Sequence, residues 1–156
     1  MKIKLLTISL IFSTLYIGGC AISPSTELLQ EFKPESKTIV FLNASRFSNK
    51  FRSALSRHGF KVKKYASIDR VKKKNEEEDV SYNQAEARYG IELHWDQVDY
   101  CLIGNGKKIN AFVEVVDLQK NEVVLLIERG GWTETCALTQ GTLFKDIAEE
   151  LNSFWE

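Results

Sequence analysis

Histidine, proline and cysteine are scarce in this chain of 156 residues, with two, two and three copies. His58 and His94 show neither His-x-x-x-His nor His-Glu-x-x-His spacing, so a zinc site, which needs three or four ligands, is not expected. The cysteines form no Cys-x-x-Cys pair, and neither Cys101 nor Cys136 has a histidine near it in sequence, which argues against a catalytic thiol. Gly-x-Ser-x-Gly, the P-loop and Gly-x-Gly-x-x-Gly are missing; Gly104-Asn105-Gly106 alone reads as a hairpin turn. Asp96, Asp99 and Asp117 fall at predicted strand ends and define no acid–base pair. The expectation is therefore a non-enzyme with no cofactor and no metal. Charge of one sign is also lacking: Lys+Arg and Asp+Glu both number 21. Without basic clustering there is no footprint for nucleic acid. No apolar run reaches the ~20 residues of a membrane-spanning helix.

What is present begins with the first twenty residues. Met1-Lys2-Ile3-Lys4 is a short basic start, and residues 5–17 are apolar apart from Thr7, Ser9, Ser13 and Thr14. Gly18, Gly19 and Cys20 follow. A basic segment, a short apolar segment and small residues before a cut describe a secretory signal peptide. Ile17-Gly18-Gly19-Cys20 resembles the bacterial lipobox. That resemblance implies removal of residues 1–19 and acylation of Cys20, and acyl chains anchor a protein to a membrane without a spanning helix. Ala21 rather than Asp follows Cys20, which by the same resemblance implies the outer membrane; the domain is expected to face the periplasm, exposure on the outer side being the alternative.

Residues 20–36 read as a lipidated tether, because they hold both prolines, Pro24 and Pro34, together with Ser23, Ser25, Thr26 and Ser36; a helical turn is expected at residues 27–32. Residues 37–156 read as a single domain. Thr38-Ile39-Val40-Phe41-Leu42 predicts a buried strand. Phe47, Phe51, Ala54, Leu55 and His58 predict a helix, with Ser45 or Ser48 as its cap and Gly59 ending it. Residues 60–65 predict a second strand, parallel to the first in a right-handed crossover unit. The charged stretch 69–79 reads as a solvated loop or helix face, with a docking surface as the alternative. Residues 83–89 predict a short helix closed by Gly90. Strands are expected at 98–103, 107–118 and 122–129 as an antiparallel meander broken by Gly130-Gly131. Leu143, Ile147, Leu151 and Trp155 put an amphipathic helix over 138–155. The order is β-α-β-α-β-β-β-α, an α/β (α+β) fold with a mixed sheet and helices packed on it.

That order, with Val98-Asp99-Tyr100-Cys101-Leu102-Ile103-Gly104 and Val115-Val116-Asp117-Leu118-Gln119-Lys120-Asn121-Glu122-Val123-Val124, resembles a loose group of envelope domains. The TolB amino-terminal domain, the lipoprotein LpoB and the CsgG-like lipoproteins belong to it. The resemblance implies non-catalytic roles in contacting partners or building envelope assemblies. It brings no catalytic residues. The stretch 130–136 departs from the group, and the long extra segments of a pore-former are missing.

Two cysteines remain besides Cys20. In an exported, oxidising compartment Cys101 and Cys136 are expected to form a disulfide, the alternative being two separate buried thiols. Tryptophan is favoured at partner surfaces because it combines area with a polar N–H. Trp132, beside Thr133, Glu134 and Thr135, is the candidate binding edge; a place covering the core is the alternative. Trp155 is expected to pack in the last helix. The resulting expectation is an outer-membrane-anchored accessory lipoprotein, tethered through its lipid, that binds an envelope protein or cell-wall component. The alternative is an immunity or inhibitor lipoprotein acting on a toxin or lytic enzyme.

Overall fold

The computed structural model describes residues 23–63, 68–69, 81–82, 87–137 and 139–156. The signal peptide, Cys20 and most of the charged stretch lie outside the described residues. Among the described residues, eight strands and two helices follow in chain order: β1 (Ser25–Leu28), β2 (Thr38–Phe41), α1 (Ser48–Arg57), β3 (Lys61–Lys63), β4 (Ile68–Asp69), β5 (Ser81–Tyr82), β6 (Tyr89–Tyr100), β7 (Lys107–Asp117), β8 (Glu122–Trp132) and α2 (Leu143–Ser153). Six strands form one sheet in the order β1-β8-β7-β6-β2-β3, and β4 pairs with β5 separately. β2 is parallel to both β3 and β6, while β6, β7, β8 and β1 run antiparallel in turn. The fold is α+β with a mixed sheet and helices on it, as the sequence pattern predicts.

Alternation decides which residues reach the helices. Ile39 and Phe41 of β2, Tyr89, Ile91 and Leu93 of β6, and Ile109, Ala111, Val113 and Val115 of β7 face one way. Phe51, Ala54 and Leu55 of α1 close this core together with Leu143, Phe144, Ile147, Ala148 and Leu151 of α2. Trp155, just past α2, packs edge-on against Phe32 and Phe60, and its Nε1 donates to the Ser36 carbonyl at 2.9 Å. On the opposite face Val40, Leu42, Ala87, Val116 and Leu118 make a smaller cluster. Both faces of the sheet are therefore covered in part.

Five expectations are corrected. Residues 25–28 are strand β1, paired antiparallel with β8 at Ser25↔Glu128 through Leu28↔Leu125, where a tether was expected and a helical turn from residue 27. The partner strand lies about a hundred residues away, so no local pattern announces the pairing. The folded unit thus includes Ser25, and Phe32 joins its core edge. Of the helix expected at 83–89, residues 83–86 lie outside the described residues, Ala87 and Arg88 are not helical, and Tyr89 opens β6. β6 therefore begins nine residues before the expected strand and ends at Tyr100, so residues 101–103 belong to the hairpin loop. Gly130 and Gly131 do not break β8, which runs on to Trp132. A Cβ on Gly131 would meet Leu143 at 3.3 Å, so the missing side chain lets α2 lie close to the strand. The last helix is shorter than expected, starting at Leu143, where residues can reach the sheet.

Candidate functional site

One end of the sheet gathers the predicted residues. Cys101, after β6, and Cys136, after β8, are joined in a disulfide with an S–S distance of 2.07 Å and Cα atoms 5.6 Å apart. The β6–β7 loop, residues 101–106, is thereby fixed to the segment following β8. Backbone bonds reinforce the junction. Thr133 N donates to Lys107 O at 2.8 Å, and Cys101 N donates to Gly106 O at 2.9 Å. Cys136 and Thr139 exchange backbone bonds of 2.9 and 2.8 Å.

The four residues of the predicted edge do not form one patch. Trp132 opposes Lys108 in the β7–β8 register, and Lys108 opposes Asp99 in the β6–β7 register. That row lies on the helix-free face, where Trp132 is half-buried. Thr133 is buried, and its Oγ1 accepts from Lys107 N at 3.1 Å, a structural duty at the hairpin base. The Glu134 carboxylate contacts the Lys50 ammonium of α1 on the helix side. Thr135 is exposed.

Lys50, Arg57 and Lys145 line a shallow basin of about 220 Å³ together with the buried Ala54, Thr133 and Phe144. Partial burial, and then the nearby Arg46 charge, lower the Lys50 pKa even though its ammonium touches Glu134. On the opposite face His94 Nε2 lies 3.1 Å from Glu92 Oε2. His58 caps the end of α1. Asp117, at the end of β7, takes a guanidinium and two backbone amides as partners. Among the described residues no group of three or more His, Cys, Asp or Glu side chains is placed to hold a metal ion. Among the same residues no helix is long and apolar enough to cross a membrane.

The sequence pattern misses the most exposed large apolar residues among those described. Leu102 and Ile103, expected inside a strand, are 86% and 82% exposed at the tip of the β6–β7 hairpin. Tyr100 and Val98, on its rising strand, are also exposed. Their position directly before Gly104-Asn105-Gly106 is the signal that marks them as loop residues.

No known protein family and no curated protein matches the sequence. Among solved structures, the PelC dodecamer of Paraburkholderia phytofirmans (crystallised in space group P6) is similar at 12% identity. The match covers 86% of this chain and 98% of that one, with a TM-score of 0.48. A variant PelC dodecamer of the same organism, in space group C2, is similar at 13% identity over 85% and 98% of the two chains, again with a TM-score of 0.48.

Proposed function

We propose that this protein is a lipid-anchored accessory protein of the outer membrane, facing the periplasm, that binds another envelope component and catalyses nothing. The disulfide between Cys101 and Cys136 carries the reading. Such bonds persist in oxidising compartments, and the basic-apolar leader ending at Cys20 points to the same place without reference to it. The bond also stiffens the one end of the sheet where exposed apolar residues and Trp132 meet. A rigid surface loses little freedom on binding, which favours affinity. The row Asp99–Lys108–Trp132 offers an acid, a base and an aromatic on three adjacent strands, β6, β7 and β8.

The test is capture from detergent-solubilised envelopes by the tagged full chain, with wild type beside Trp132→Ala. A specific envelope component retained by wild type and lost from a folded Trp132→Ala protein supports the reading. Loss of one interface tryptophan commonly costs ~2 kcal/mol or more, about thirtyfold in affinity. Equal capture by both proteins would remove Trp132 from the binding surface. Capture of a toxin or lytic enzyme would turn the role into immunity.

A further inference from the structure

We infer that the β6–β7 hairpin tip is a second membrane contact, with Leu102 and Ile103 seated in the lipid surface that holds Cys20; the inference rests on the lipid anchor proposed above.

Among the described residues, the tip carries the most exposed large apolar side chains. Leu102 and Ile103 are almost wholly exposed, and Tyr100, two residues back, is 61% exposed. The loop is not left free to fold its apolar side chains away: the Cys101–Cys136 bond and the Cys101–Gly106 backbone bond hold it upright. Lys107 and Lys108 stand at its base, at the height where anionic headgroups would meet a shallowly inserted loop. A polar aromatic and basic residues flanking an apolar tip suit the headgroup boundary.

The chain leading to the anchor leaves the fold toward the same end. β8 rises toward the disulfide, and β1 runs antiparallel to it, so Ser25 is the end of β1 nearer the hairpin tip. Ser25 lies opposite Glu128, four residues below Trp132 in β8. At ~3.3 Å per residue Trp132 is about 13 Å higher, with the tip a little beyond. Cys20 precedes Ser25 by five residues. Fully extended, that link spans at most about 18 Å. An acylated Cys20 therefore holds the membrane within reach of the tip, and the linker is too short to let the tip wander far from it.

The experiment uses the exported, full-length-encoded protein, purified and reconstituted into phosphatidylethanolamine–phosphatidylglycerol vesicles with or without dibrominated acyl chains. Ile103→Trp, and separately Leu102→Trp, are compared with wild type, whose own tryptophans set the background. Both positions are exposed, so neither change should disturb folding, and circular dichroism checks it. The added emission is expected to be blue-shifted and mostly lost in brominated vesicles, while the wild-type emission changes little. Added emission with a water-exposed maximum and no quenching overturns the inference. A blue-shifted emission that bromine leaves unquenched also overturns it, because the tip then lies in a protein contact, such as a second copy. Mass spectrometry of the same preparation reads acylation at Cys20 independently. An unacylated amino terminus sinks the anchor reading; quenched emission from that unacylated protein would keep the tip in the membrane without it.

Discussion

Arg88 and Asp117 lock the start of β6 to the turn after β7. The Asp117 carboxylate, 2% exposed, accepts from Arg88 Nε at 3.3 Å and Nη2 at 3.1 Å. Its other oxygen accepts from Gln119 N at 3.0 Å and Lys120 N at 3.4 Å, which shapes the β7–β8 turn. The hydrogen bond to Asp117 raises the Arg88 pKa above the ordinary arginine value. Asp117→Ala is expected to remove all four bonds and lower stability by about 2–3 kcal/mol, less than a fully buried pair because Arg88 is partly solvated. Asp117→Asn keeps an acceptor for the turn and should lose less. Urea denaturation of the three proteins checks the order; equal midpoints would show that the pair adds nothing.

Gly90 sits in β6 under Leu42. A Cβ at Gly90 would come within 2.6 Å of three Leu42 side-chain atoms. Gly90→Ala should destabilise the protein by about 1–3 kcal/mol through overpacking. In Leu42→Ala the space is vacated, so the double variant should be more stable than the sum of the two single losses predicts. Strict additivity in thermal or urea melts would mean that the strand shifts to absorb the methyl.

Cys101→Ser with Cys136→Ser removes the bond that closes a separation of 35 residues. Restored chain entropy in the unfolded state should cost up to about 4 kcal/mol. Thiol labelling of the denatured, unreduced wild type should find neither cysteine free. Two reactive thiols per molecule in periplasmic material would contradict the bond, and an unchanged urea midpoint in the double variant would contradict its contribution.

Cys20→Ser should yield an unlipidated precursor that keeps its leader. The wild-type amino terminus should carry acyl groups by mass spectrometry and begin at Cys20. A mature terminus elsewhere, or one without acyl groups, defeats the anchor.

Periodicity made some elements legible and hid others. α2 was readable because Leu143, Phe144, Ile147, Ala148 and Leu151 all turn to one core. β7 was readable from Ile109, Ala111, Val113 and Val115, buried on every second position. β6 carried the same alternation in Tyr89, Ile91 and Leu93, but Ala85, Ala87 and Gly90 imitate a capped helix. β1 carried no signal: its four residues are exposed, and only backbone bonds to β8 make it a strand. At the candidate site, the cysteines and Trp132 stood out by residue type. Leu102 and Ile103 did not, because two consecutive apolar residues after a strand pattern read as its continuation. Thr133 and Glu134 read as surface polar groups, whereas one seals the hairpin base and the other meets α1.

The direction of β1 fixes how the domain responds to force. A load on the amino terminus that draws Ser25 along the strands strains all four β1–β8 residue pairs at once, in shear. A load across the sheet would open them one after another, like a zipper. If the amino terminus is held by the proposed anchor, drag on the domain loads these pairs in shear. Single-molecule pulling between residue 23 and Glu122 loads the β1–β8 pairs in shear, and pulling between residue 23 and Trp132 peels them; the first should yield at the higher force. Ser25–Leu28 would then pass an amino-terminal load into β8 through four residue pairs in parallel.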